Sequence, residues 1–94
     1  MAIEITHVRF SGNVKNEQSI VRYKWRNVAN LNQTGENDKP SLVAWVDGAN
    51  NDAYVGSGPS RVNVAVIRPA NTDPYLRTHA DGDWSNNLLS LDTF

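Results

Sequence analysis

The densest set of groups able to bind or react lies in one C-terminal run, Pro74-Tyr75-Leu76-Arg77-Thr78-His79-Ala80-Asp81-Gly82-Asp83-Trp84-Ser85-Asn86-Asn87-Leu88-Leu89-Ser90-Leu91. Arg77 brings a planar fork of donors that matches carboxylate or phosphate, Tyr75 and Trp84 bring flat ring faces, and Asn86 and Asn87 can donate and accept toward a polar edge. An arginine, aromatics and amides without a matched acid and base describe capture of a small anionic, nucleotide-like ligand better than its conversion. Thr78 and Asp81 belong to the same set, either touching that ligand or bracing the last turn while Leu88, Leu89 and Leu91 close the core.

Two other chemistries fit the run less well. Asp81, Asp83, Ser85, Asn87 and Asp92 stand at the oxygen-donating positions of a helix-loop-helix calcium site, with Leu88 at its apolar position. Asn86, however, replaces the sharp-turn glycine, Asp92 is shorter than the usual bidentate glutamate, and no flanking helices are evident. An Asp-Gly turn with solvated carboxylates accounts for the same residues. His79 and His7, with Asp81 or Asp83, offer a base and an orienting carboxylate, but the serines lie in turns and no Gly-rich phosphate loop is present. The expectation is a non-enzymatic protein with no catalytic residue, no metal and no cofactor.

A second surface comes from alternation. Across residues 19–28, Val21, Tyr23 and Trp25 fall on one face of a strand and Arg22, Lys24 and Arg26 on the other, because successive strand side chains point to opposite sides. That cationic stripe is a candidate partner contact, although lysine and arginine on a strand also serve simply as a solvated face.

Composition limits what these groups can belong to. The 94 residues make one domain, 1–94, with room for a modest core and no separate catalytic unit. A formal charge of -1 leaves no overall basic surplus, so nucleic acid is not the expected partner. There is no cysteine, which removes disulfides, thiolate zinc sites and cysteine nucleophiles together and suits a reducing cytoplasm. No apolar run is long enough to span a bilayer, and residues 1–10 lack the apolar core of a signal peptide.

The elements that must position these residues can be read in order. Ile3, Ile5, Val8 and Phe10 predict a first strand whose phase slips at His7, the mark of a bulge. After the strand at 19–28, residues 29–39 hold only Leu31 as an apolar group and are expected to form an exposed loop. Asp38-Lys39-Pro40-Ser41 reads as a helix start, and Leu42, Trp45, Val46 and Ala49 share one helix face that ends near 48–51. Trp45 and Trp25 are expected in the core. Short strands follow at 53–55, 61–68 and 75–79, the second carrying Val62, Val64 and Val66 on one face. The predicted fold is α+β: a small, mainly antiparallel sheet of about five strands with one helix packed on a face, in the order β-β-α-β-β-β.

Ile5-Thr6-His7-Val8-Arg9-Phe10-Ser11-Gly12, the segment 41–46, Ala53-Tyr54-Val55, and above all Tyr75-Leu76-Arg77-Thr78-His79-Ala80-Asp81-Gly82 with Asn86-Asn87-Leu88-Leu89-Ser90-Leu91, resemble the small bacterial and phage proteins grouped as domain of unknown function family 3892. The resemblance covers nearly the whole chain and is most specific in the C-terminal block. Since that family has no assigned activity, the resemblance implies a stand-alone cytoplasmic domain and supplies no catalytic residues. The resulting expectation is a protein that sequesters a nucleotide-like signal, as a phage could use against host defence, working as a homo-oligomer because so small a domain has little concave surface of its own. The alternative is an interaction or inhibitor domain acting through Arg22, Lys24 and Arg26 or through the 29–39 loop.

Overall fold

A computed structural model describes the chain except residues 49, 57–60, 81–82 and 86, and the side chains of 80, 83–85 and 87. The first strand, β1 (Ala2–Phe10), slips register between Ile5 and His7 where the alternation slips, and pairs antiparallel with β2 (Ile20–Asn27). Between them a short 3-10 turn, Glu17–Ser19, is closed by a capping box: Asn16 Oδ1 accepts from the Ser19 N–H, and Ser19 Oγ accepts from the Asn16 N–H.

Residues 30–38 are where sequence and structure part. Instead of a loop they form β3 (Asn30–Asp38), antiparallel to β2 from Arg22 opposite Asp38 to Arg26 opposite Thr34. Alternation cannot reveal this strand, because both of its faces are polar; backbone pairing to β2 makes it a strand. The sheet therefore gains a member before the helix, and the α+β class stands.

Helix α1 (Lys39–Val46) starts as its residues dictate, with Asp38 at the N-cap accepting from the Ser41 N–H at 3.0 Å and Pro40 in the first turn. Hydrogen bonds from the Ser41 side chain and backbone hold the exposed Asp38 carboxyl below its ordinary range, with Arg22 adding a little. The helix buries Leu42 and also Val43, which lies off the expected stripe, while Trp45 and Val46 are half-buried. The reason is that α1 is flanked on two sides, touching β2 and β3 and also the later strands β5 (Val62–Ile67) and β6 (Tyr75–Ala80).

β4 (Asp52–Val55) runs parallel to β1 and antiparallel to β5, which pairs antiparallel with β6. Two short strands complete the sheet: β7 (Asp83–Ser85) beside β6 and β8 (Asp92–Thr93), parallel to the second half of β1. The order across the sheet is β3-β2-β1-β4-β5-β6-β7. Ile3, Ile5, Val8, Tyr23, Leu42, Leu76 and Leu88 form the centre of one core, with Leu89 and Leu91 packed against it. The C-terminal leucines thus do close the core.

Candidate interaction surface

The outward face of β1, β2 and β3 is built by cross-strand pairing. Arg9 stands opposite Arg22, Glu4 opposite Arg26, and Lys24 opposite both His7 and Glu36, so the charges of three strands share a face. Arg22 Nε donates to Glu36 Oε2 at 2.7 Å, and Arg26 reaches Glu4 Oε1 through Nε at 3.0 Å and Nη2 at 2.9 Å. Lys24 and Arg9 gather instead on Phe94. Both lie 4.6 Å from the centre of the Phe94 ring, and Arg9 Nε also donates to the Phe94 main-chain oxygen at 2.8 Å. His7 meets the same ring edge-on at 6.4 Å.

Arg9, Arg22, Lys24 and Arg26 share this face with Glu4, Glu36 and, opposite Arg22, Asp38, so the face is mixed in charge with its cations aligned along β2. The side chains stay accessible, with Arg22 36% and Arg26 37% exposed. Between them runs an open trough of about 470 Å³, bordered by Thr6, His7, Lys24, Arg26, Thr34 and Glu36, with Trp25 and Gly35 also on its lining. A shallow trough on a sheet face suits a macromolecular contact better than enclosure of a small molecule.

Beside it, β3 is the terminal strand of the sheet, and its outer edge meets no other strand among the described residues. Its nine residues, Asn30-Leu31-Asn32-Gln33-Thr34-Gly35-Glu36-Asn37-Asp38, contain no proline or lysine, and its only charges, Glu36 and Asp38, stand near its end. Sequence reasoning missed this edge and also Phe94, whose contacts with Arg9 and Lys24 are long-range; alternation had already exposed Arg22, Lys24 and Arg26.

The C-terminal set is divided by the same geometry. Tyr75 and Arg77 lie half-buried on one face of β6, whereas Thr78 is fully buried on the other face with Leu76. Thr78 is therefore a core residue opposite Val64 and cannot share a ligand with Arg77; strand alternation requires the separation. Arg77 Nε lies 3.8 Å from Glu17 Oε2, an ion-pair distance too long for a hydrogen bond. The backbone of Trp84 pairs with His79 and Asn87 opens the 3-10 turn Asn87–Ser90, but their side chains, with Asp81 and Asn86, lie outside the described residues. So does most of the oxygen-donor loop considered for calcium. Among the described residues no three His, Asp or Glu side chains gather as metal ligands. His7 and His79 stand on strands separated by β4 and β5.

Fold and surface together define a small α+β domain with a charged sheet face and an open edge. The chain belongs to the family described as Protein of unknown function (DUF3892), whose model matches residues 4–92. Comparison with curated proteins and with solved structures finds no match. Among the described residues no helix is long and apolar enough to cross a membrane.

Proposed function

We propose that this chain is a protein-interaction module, not an enzyme, that seats an extended acidic segment of a partner protein along the edge of β3. The observation that carries the reading is the adjacency of a nine-residue edge strand without proline or lysine and the cationic row of β2 one strand further in. An added strand takes its affinity from main-chain hydrogen bonds, and an acidic side chain beside Thr34 comes within reach of Arg26, whereas one beside Glu36 or Asp38 would meet like charge. The charge sets orientation and encounter rate more than affinity. A reducing cytoplasm suits a chain without cysteine.

The test is affinity capture from a cell lysate with the wild-type chain, the charge-reversed Arg22→Glu/Arg26→Glu chain, and Gln33→Pro and Thr34→Pro. Neighbouring residues of an edge strand send their N–H groups alternately inward and outward, so one of the two prolines removes an outward donor and spares the pairing with β2. The expected result is a partner retained by the wild type and lost from both the charge-reversed chain and the folded proline variant. Retention by all of them contradicts the reading.

A second reading keeps capture of a small anionic, nucleotide-like ligand, of anti-defence type and within a homo-oligomer. It is favoured by one observation: Tyr75 and Arg77 share a face of β6, with the Arg77 side chain a third exposed. Loss of ligand on Arg77→Ala, with Arg22→Glu/Arg26→Glu unaffected, selects it over the first.

A further inference from the structure

A cleft of about 140 Å³ opens between α1 and the strands beneath it, lined by Ile3, Trp25, Asn37, Ser41, Leu42 and Trp45, with Met1 at its border. We propose that it is a binding site for one flat six-membered ring with both a donor and an acceptor on its edge, the chemistry of a pyrimidine base. This inference does not rest on the partner reading, although Trp25 borders both this cleft and the trough on the charged face.

Three features carry it. The size is that of a single ring, since a protein cavity of about 150 Å³ accommodates benzene. The walls are aromatic, one indole from the sheet and one from the helix, and an indole face is a sequence-tolerant platform for a base. The polar groups are few and complementary. The Ser41 hydroxyl, on the lining, can accept or donate. The Asn37 carbonyl oxygen is taken by Trp25 Nε1 at 2.8 Å, which leaves the amide nitrogen to donate.

The site is also held ready. Trp25 lies against Gly35 so closely that a Cβ there would stand 2.3 Å from Trp25 Cζ2, and the indole N–H is fixed on Asn37. Trp45 sits in the last turn of α1, where its carbonyl accepts from Asn51 Nδ2 at 3.0 Å. The Trp25 wall does not need to be built when a ligand arrives.

The experiment is an amide and indole NMR titration of the whole chain with millimolar uracil, with cyclohexanol as a probe of similar size that is not flat. Expected are saturable shifts at Ser41, Leu42 and the Trp25 indole N–H, with no saturation by cyclohexanol. Trp45→Ala removes one wall, and Gly35→Ala swings the other away. Each is expected to weaken uracil binding roughly tenfold or more. The proposal is overturned by the absence of saturable shifts, by equal binding of cyclohexanol, or by undiminished binding in a folded variant. Should Trp45→Ala fail to fold, Gly35→Ala decides between these outcomes, because its change lies on the edge strand.

Discussion

Trp25 and Gly35 stand opposite one another across β2 and β3, and the indole occupies the space where any side chain at position 35 would begin. The glycine is there for close approach. Gly35→Ala must push the indole off its bond to Asn37, and we expect a loss of about 1–3 kcal/mol, as for other overpacked sites. Urea unfolding measures it, and loss of near-ultraviolet tryptophan signal shows whether the ring has moved.

Leu88 is fully buried, so the C-terminal block contributes to stability whatever else it does. Leu88→Ala is expected to cost about 2–5 kcal/mol in thermal or urea unfolding. A cost near zero would mean that the block is not packed on the core.

How much was legible follows from residues such as these. β1, β2, the start of α1, β5 and β6 announce themselves because each has one apolar face, and even the bulge at His7 shows as a slip of phase. β3 does not, since a strand polar on both faces has no period to read. The C-terminal cluster divides for a different reason: adjacency in sequence is separation in a strand, and Thr78 turns into the core while Arg77 lies on the other face of β6. Phe94 over Arg9 and Lys24 is a contact across the fold, which no local pattern encodes.

Tyr23 gives a pH signature. Burial, and secondarily the Glu17 carboxylate, push its phenol well above the ordinary value of about 10, and its hydroxyl has no hydrogen-bond partner among the described residues. Above about pH 10 the unfolded chain gives up this proton while the folded chain keeps it, so the folded state binds more protons and stability falls as pH rises. The contribution is whole below about pH 10 and declines by at most about 1.4 kcal/mol per pH unit above it. Tyr23→Phe is expected to flatten that alkaline decline and to leave stability at neutral pH unchanged or slightly raised. Melting curves from pH 7 upward compare the two.

The ion pairs Arg22–Glu36 and Arg26–Glu4 lie at the surface, where such pairs contribute little. Arg22→Ala and Arg26→Ala are therefore expected to change stability by no more than about 1 kcal/mol each. Urea midpoints check this. Binding defects in these variants can then be assigned to the surface and not to the fold.

The central claim is that a partner adds a strand to β3, and amide hydrogen exchange along Asn30–Asp38 tests it most directly, in the free protein and in its complex with the captured partner. The account predicts that every second amide of β3, those directed away from β2, slows roughly tenfold or more on binding. Unchanged exchange along β3, with protection arising elsewhere on the molecule, would contradict it.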